Sequence, residues 1–361
     1  MRVMRKPEIP WPRYFRTAPC ANRRSPFTFS HARTALKYGL RALGLQPEDS
    51  VLCPDYTCHT LVEVFEGAQM RVRFHSLTED LTPDWSALEA VPPAAARALV
   101  MIHYFGVPQD VARYRRLCDQ RGWLLLEDNA HGHGGAVAGR PLGTFGDLGI
   151  ASPYKSFPIR NGGLLYLPAG VRFDPPDLPC QPGRASARLA RSLLRRALDL
   201  APALRARLRE CPPYASPSAF RDDVVGEWAM DQWSYDQVMR ADLPAVRSVR
   251  QRLYHTWQAW TSRHGLVALL PRLDPGAMPL LYPARSSSPD ESARWFLWGH
   301  RHGIDVHSWP TLPEAVVGEG GAALRRWERT VCFPLHQEID PLALEARLTR
   351  IGAPKAAIAG A

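Results

Sequence analysis

The sequence has 361 residues, of which 45% are hydrophobic, so the chain can bury the cores of one large and one smaller folded domain. Its apolar runs are shorter than the roughly 20 residues of a membrane span, and the N-terminus lacks the apolar core of a signal peptide, so we expect a cytoplasmic protein without membrane insertion. The net charge of +10 favours an acidic partner, which could be nucleic acid, an anionic membrane surface or a phosphorylated small molecule.

Short apolar runs alternate with helix-like stretches between about residues 30 and 170. Amphipathic stretches at 34–45, 60–68 and 110–122 separate apolar runs at 50–54, 72–77, 98–104, 123–128, 148–152 and 163–168. This alternation predicts an α/β fold with a mostly parallel sheet and helices on both faces. Ligands of such sheets bind at the carboxyl ends of the strands.

The rest of the chain has a different composition. Residues 169–232 are rich in Pro, Arg and Ala, and within them the arginine-rich segment 184–209 carries leucines at helical spacing. Such a segment could lie on a membrane surface, but a solvated helix packed on its own domain or on a second subunit is favoured. Beyond it, helical stretches alternate with strand-like 278–284 and 330–336. We therefore predict an N-terminal extension (1–26), a large cofactor-binding domain (27–232) and a small α+β domain (233–361).

The seven cysteines are odd in number and scattered, without a CxxC pair. This pattern implies neither a disulfide framework nor a zinc site. We therefore expect reduced thiols and no metal.

Lys155, in the stretch ASPYKSFPIRNGG, is unusual because only four of the 45 basic residues are lysines. Lysine, unlike arginine, can lose its proton and act as an amine nucleophile. Composition alone leaves a functional amine and an ordinary surface lysine equally open, so the neighbouring motifs must decide.

Two further features are expected at the same edge of the sheet. Asp128 ends the apolar run at 123–128, about 27 positions before Lys155, and Arg33 and Thr34 begin a predicted helix. The free N–H groups and the dipole at a helix start attract phosphate. Pyridoxal phosphate requires an amine, a carboxylate against its ring nitrogen and an anion site. These residues together therefore predict a pyridoxal-phosphate site.

Four motifs, in this order, resemble the DegT/DnrJ/EryC1/StrS family of sugar aminotransferases, which are fold-type I pyridoxal-phosphate enzymes. They are LGLQPEDSVLCPDYT, EDNAHGHGG, LGTFGDLG and KSFPIRNGG, and the resemblance extends with gaps from about residue 27 to 340. In this family a lysine precedes a Gly-Gly pair by seven residues, as Lys155 precedes Gly162 here. The resemblance implies a transaminase that is a homodimer, with its active site near the interface.

The resemblance also implies a role for each matching residue. Lys155 would hold the cofactor as a Schiff base and shuttle a proton, and Asp128 would pair with the pyridine nitrogen. His131 would lie beside the phenolic oxygen of the ring. The phosphate would be bound by Arg33, Thr34 and Ser152.

Other positions stay open at this point. The residue on the face of the cofactor ring could be Tyr56, Cys58 or His59. Substrate-contact candidates are His59 and His336, the latter in the FPLHQ motif. Large aromatic residues such as Trp309 are expected to pack in a core or an interface.

The chain departs from the family pattern in two places. It reads Ala32-Arg33-Thr34-Ala35 where relatives carry Gly-Thr/Ser-Ala, and an arginine there could strengthen the phosphate contact. The Asn-Tyr/Phe-Arg-Met motif, which reaches the cofactor of the neighbouring subunit in relatives, has no clear copy around WSYDQVMRADL. This difference leaves the nucleotide part of the substrate and the details of the dimer contact open.

The predicted activity is transfer of nitrogen from an amino acid, Glu or Gln, to a keto-sugar that is nucleotide-linked. The alternatives are a keto-cyclitol or other non-nucleotide acceptor, and a non-catalytic binding or regulatory protein. In a dehydratase branch of the same fold a histidine replaces the lysine, so Lys155 argues against dehydration. The sequence contains no helix-turn-helix or aromatic-basic RNA motif, so we expect no nucleic-acid partner.

Overall fold

The computed structural model describes residues 3–4, 6–10, 13, 18–21, 26–181, 226–318 and 320–354. The arginine-rich segment 184–209 and Cys211 therefore lie outside the described residues. Among the helices that are described, none has the length and apolar character needed to cross a bilayer.

A seven-stranded sheet forms the centre of the N-terminal half. Its strands are β1 (Phe27–Phe29), β2 (Ser50–Pro54), β3 (Arg71–His75), β4 (Ala98–Ile102), β5 (Leu124–Asn129), β8 (Leu148–Ala151) and β9 (Gly163–Tyr166); a short hairpin, β6 (Ala136–Val137) and β7 (Arg140–Pro141), follows β5. The order across the sheet is β1-β9-β8-β5-β4-β2-β3. The five strands from β8 to β3 are parallel, whereas β9 and β1 pair antiparallel at one edge. The predicted mostly parallel α/β fold is confirmed.

Helices cover both faces of this sheet. They are α1 (Ala32–Ala42), α2 (His59–Gly67), α3 (Trp85–Glu89) and α4 (Val111–Arg121). In β4, Leu99 and Met101 belong to the core under α4, whereas Val100 and Ile102 belong to the core under α1 and α2. A strand that is buried on both faces reads as a continuous apolar run, which is why ALVMI lacks alternation.

The C-terminal half contains a three-stranded antiparallel sheet. Its strands are β10 (Val267–Ala268), β11 (Leu281–Arg285) and β12 (Thr330–Pro334). The helices of this half are α5 (Gln232–Met239), α6 (Leu243–Ser262), α7 (Pro289–Arg301), α8 (Glu314–Gly318), α9 (Ala322–Arg329) and α10 (Pro341–Ile351). A second core, rich in aromatic residues, includes Trp257 of α6, Trp295 of α7 and Phe333 of β12. The domain boundaries at residues 26 and 232 stay a prediction.

Two of the seven cysteines form a disulfide. Cys20 and Cys180 are bonded across 160 residues of sequence, while Cys53, Cys58, Cys118 and Cys332 are free thiols. The expectation of reduced thiols is therefore wrong for Cys20 and Cys180. The scattered spacing gave no sign of this pair because only the fold brings the two segments together.

Candidate active site

A cavity of about 500 Å³ opens at the carboxyl ends of the parallel strands. Cys58 follows β2, Asp128 lies near the end of β5, and Ser152 and Lys155 follow β8; all four line the cavity. Parallel strands end at the same edge of a sheet, so residues distant in sequence meet there. The structure thus brings together Lys155, Asp128, His131, Arg33 and Ser152 of the predicted site.

Asp128 and Lys155 interact electrostatically within this cavity. Burial raises the pKa of Asp128, and the charge of Lys155 opposes that rise. The Ala130 N–H donates to Asp128 Oδ1 at 2.8 Å and orients the carboxylate. Lys155 is the last residue of a short 3₁₀ turn, in which its own N–H donates to Ser152 O at 3.0 Å.

His131 is a neutral imidazole whose tautomer is set by its surroundings. Burial lowers its pKa well below the usual value, and the charge of Lys155 lowers it further. The Phe105 N–H donates to His131 Nδ1 at 3.2 Å, so the proton resides on Nε2. His131 can therefore donate one hydrogen bond from Nε2.

Trp309 is a cavity residue that sequence reasoning assigned to a core or an interface. Its ring centroid lies 4.5 Å from that of His131 and 5.4 Å from that of Phe105, edge-on to both. No local sequence signal identifies this residue, because it reaches the cavity from the C-terminal half. Trp309 therefore joins the two halves of the chain at the site.

The three candidates for the ring face occupy different positions. Tyr56 is fully buried, with its hydroxyl donating to Trp309 O, and it does not line the cavity. His59 begins α2, and its Nε2 lies 3.2 Å from Glu63 Oε1, also outside the cavity lining. Of the three, Cys58 alone lines the cavity.

The start of α1 contributes to the lining of the cavity. His31 precedes the helix, and His31, Ala32 and Arg33 line the cavity, whereas Thr34 is buried and lines a separate groove between α1 and α2. Gly163 allows β9 to pass close to this helix start, since a Cβ there would lie 2.1 Å from the backbone carbon of His31. Sequence reasoning identified Arg33 and Ser152 but missed His31, which stands next to the phosphate signature.

The C-terminal half also contributes to the lining of the cavity. Apart from Trp309 it contributes aromatic and titratable side chains that the sequence did not single out, namely Phe296, His300, Asp305, His307 and Trp327. His336 is buried, accepts the Glu338 N–H at Nδ1 and does not line this cavity. Burial, with the nearby charge of Arg250, lowers the pKa of His336 to about 4.

Glu127, the residue before Asp128, is a buried carboxylate next to the site. Its Oε1 accepts from His103 Nε2 at 2.8 Å and from the Gly143 N–H at 2.6 Å, while its Oε2 accepts from the N–H groups of Phe145 and Gly146 at 2.6 and 3.0 Å. Burial alone would raise the pKa of Glu127, but these donors lower it on balance. Two adjacent carboxylates thus have opposite pKa shifts, because Glu127 is saturated with donors and Asp128 faces the cavity.

Part of the chain is similar to known proteins. Residues 21–170 match the model of the DegT/DnrJ/EryC1/StrS aminotransferase family. An L-glutamine:2-deoxy-scyllo-inosose aminotransferase of Streptomyces kanamyceticus is 30% identical over 134 residues, which are 37% of this chain and 31% of that protein. A GDP-perosamine synthase of Vibrio cholerae is 29% identical over 161 residues, which are 41% of this chain and 41% of that protein. The alignments span less than half the length of either relative.

The fold resembles solved structures over a longer stretch. The crystal structure of NtdA from Bacillus subtilis, with the cofactor PMP bound, has a TM-score of 0.60 at 15% identity; it covers 90% of this chain and 72% of that chain. The likeness shows a shared fold. With the match of residues 21–170, it confirms the resemblance that the sequence motifs indicated. Over residues 21–170, the chain is similar to the DegT/DnrJ/EryC1/StrS aminotransferase family.

Proposed function

We propose that this protein is a pyridoxal-phosphate-dependent transaminase that moves nitrogen from an amino acid to the keto group of a sugar or cyclitol. The observation that carries the proposal is the lining of one cavity by Lys155, Asp128, His131, Ser152 and the start of α1. The observed geometry fits the cofactor. A carboxylate with a raised pKa lacks enough donors for its charge, and a ring nitrogen that carries a proton would supply one.

The helix start supports the phosphate part of the proposal. Ala32 and Arg33 lie in the first turn of α1, where backbone N–H groups have no partner within the helix. Arg33 and Ser152 line the same cavity and would add a cation and a hydroxyl. Thr34 was predicted to join them, but it lies outside the cavity lining, so the proposal assigns phosphate contact to Arg33 and Ser152.

When bound, pyridoxal phosphate supplies an aldehyde that reacts with amines and a ring that accepts electrons. Lys155 Nζ would hold the cofactor and, in its neutral form, take a proton from the amine-bearing carbon of the donor. It would later return a proton to the carbon of the acceptor that gains nitrogen. Asp128 would keep the ring nitrogen protonated, and His131 would donate from Nε2 to the ring oxygen. The donor leaves as a keto acid and the acceptor ketone becomes an amine.

The acceptor class rests on the relatives. One is named for 2-deoxy-scyllo-inosose, a cyclitol, with L-glutamine as its donor, and another for GDP-perosamine, a nucleotide-linked sugar. We propose glutamate or glutamine as the donor and one of these two acceptor classes. The proposal includes a cytoplasmic homodimer with the active site near its interface, and the predicted division of the chain at residues 26 and 232.

A trapping experiment tests the cofactor assignment. Protein loaded with pyridoxal phosphate is treated with borohydride, and peptide masses locate the modified lysine. We expect the label on Lys155. The Lys155→Ala variant should be unlabelled and inactive, whereas the control Lys37→Ala, at an exposed ion pair with Glu227, should behave as the wild type. A label elsewhere, or turnover by Lys155→Ala, would refute the assignment.

A half-reaction screen tests the substrates. The protein is first incubated with glutamate or glutamine until the visible absorption of the cofactor changes, and keto-sugar nucleotides or keto-cyclitols are then added. Recovery of the original absorption identifies the acceptor class. A colourless protein that gains no absorption with pyridoxal phosphate would favour the non-catalytic alternative.

A further inference from the structure

Arg250 is a fully buried arginine in the middle of α6. Its guanidinium donates to three oxygens, all of them neutral: Pro279 O at 2.9 Å, Ser156 O at 3.0 Å, and Gln337 Oε1 at 3.1 and 2.9 Å from Nε and Nη2. In the part of the chain that the structure describes, no ion pair involves this side chain, and burial lowers its pKa to about 9. Burying a charge without a counter-ion costs free energy of folding, so a residue that only had to pack in the core at this position would be apolar.

Gln337 completes a closed arrangement with Arg250. While its Oε1 accepts from the guanidinium, its Nε2 donates to Ser156 O at 3.1 Å. The carbonyl of Ser156 therefore receives two donors, one from each side chain. Gln337 is the last residue of the FPLHQ motif, in which sequence reasoning had singled out His336.

The carbonyl that is held in this way belongs to the residue directly after Lys155. The turn that carries Lys155 is closed on its inner side by the N–H groups of Ser156 and Phe157, which both donate to Pro153 O at 2.9 Å. Arg250 and Gln337, which both belong to the C-terminal half of the chain, donate hydrogen bonds to the Ser156 carbonyl at the end of this turn. The side chain of Lys155 faces the cavity instead.

We propose that Arg250 and Gln337 are positioning residues that fix the backbone from which Lys155 reaches the cavity. They act through the Ser156 carbonyl and couple the placement of the lysine to α6 and to the segment after β12. This role also accounts for the buried cation, because a hydrogen bond from a charged donor to a carbonyl is stronger than one from a neutral donor. The consequence for the cofactor rests on the proposed function, whereas the consequence for the turn does not.

The test compares Arg250→Met, which keeps the alkyl chain but removes all four donations, with Gln251→Leu. Gln251 is the next residue on α6 and donates to Pro275 O and Ala277 O, both at 3.0 Å, but not to the lysine turn. Both variants lose side-chain hydrogen bonds to backbone carbonyls, so loss of such bonds in general is controlled. Urea unfolding reports the global stability of each variant.

The first readout is hydrogen exchange at the amides of Lys155, Ser156 and Phe157 in the cofactor-free protein. Arg250→Met should exchange at least about tenfold faster there, the change that about 1.4 kcal/mol of local stability produces, while Gln251→Leu leaves these amides unchanged. Gln337→Leu removes one of the two donors to Ser156 and should give a smaller increase. If Arg250→Met does not fold, the exchange rates of Gln337→Leu at these three amides test the proposal instead. Wild-type exchange rates at the turn in a folded variant would overturn the proposal.

The second readout is the visible absorption of protein loaded with pyridoxal phosphate. Arg250→Met should change the pH dependence of that absorption and lower the yield of borohydride trapping, and Gln251→Leu should change neither. Faster exchange at the turn in a protein that binds no pyridoxal phosphate would support the positioning role and refute the proposed function. Normal borohydride trapping in Arg250→Met, together with wild-type exchange rates at the turn, would support the proposed function and refute the positioning role.

Discussion

Replacing Glu127 by glutamine should destabilise the protein far more than the loss of one charge on the surface would. The carboxylate accepts four hydrogen bonds, two on each oxygen, at 2.6 to 3.0 Å. A glutamine keeps one oxygen and places an NH₂ group against the other two donors. If that group faces Phe145 and Gly146, two buried N–H groups lose their acceptor.

The opposite orientation of the glutamine amide is no better. The NH₂ group would then face the Gly143 N–H and His103 Nε2. His103 cannot change its tautomer without cost, because its Nδ1 already accepts the Gln109 N–H at 3.1 Å. Each hydrogen bond to a charged group contributes about 1.5–3 kcal/mol, and a buried N–H group left without its acceptor costs about 1–3 kcal/mol. We therefore expect Glu127→Gln to lower the free energy of unfolding by about 3 kcal/mol or more.

Urea unfolding of the cofactor-free protein measures this change. A suitable control is Glu89→Gln, because Glu89 forms a partly exposed pair with Arg113 at 2.8 Å and its loss should cost no more than about 1 kcal/mol. If Glu127→Gln costs no more than Glu89→Gln, the reasoning about the saturated carboxylate is wrong.

Three further predictions follow from the same region. The lowered pKa of Glu127 means that its ionised form stabilises the fold above the ordinary value of 4.5; stability should fall as the pH drops below that value, and Glu127→Gln should reduce this acid dependence in unfolding curves. The raised pKa of Asp128 means that its charge is disfavoured in the cofactor-free protein at neutral pH. Asp128→Asn should therefore increase the free energy of unfolding measured in urea, and it should weaken retention of pyridoxal phosphate. A variant that is less stable than the wild type would contradict this prediction. Gly163→Ala places a Cβ 2.1 Å from a backbone atom of His31. It should therefore lower the free energy of unfolding in urea by about 1–3 kcal/mol and weaken cofactor binding in a fluorescence titration. Wild-type values in both measurements would refute the argument from close approach.

The sequence predicted the elements of the large sheet because their signals are local. The apolar run at 98–104 became β4, and the run at 123–128 became β5, with Asp128 near its end. Strand ends in a parallel sheet share an edge, so the proximity of Lys155 to Asp128 followed from strand order and motif spacing. The three-residue β1 was too short to give such a pattern.

The tertiary structure decided which residues near these motifs line the cavity. Tyr56 and Cys58 are two positions apart in one motif, yet Tyr56 is buried against Trp309 and Cys58 lines the cavity. A motif fixes the position of the backbone, but the orientation of a side chain depends on what packs against it.

Contacts between distant segments also had no counterpart in the sequence. The Cys20–Cys180 disulfide, the approach of Trp309 to His131, and the binding of Ser156 by Arg250 each join parts of the chain that no period or motif links. The amino-acid sequence by itself determined the strands, the resemblance to the family and the amine–carboxylate pair, because each depends on residues that are close together in the sequence. Only the folded chain determined what closes the cavity and what holds the lysine, because those contacts arise when the C-terminal half packs against the edge of the sheet.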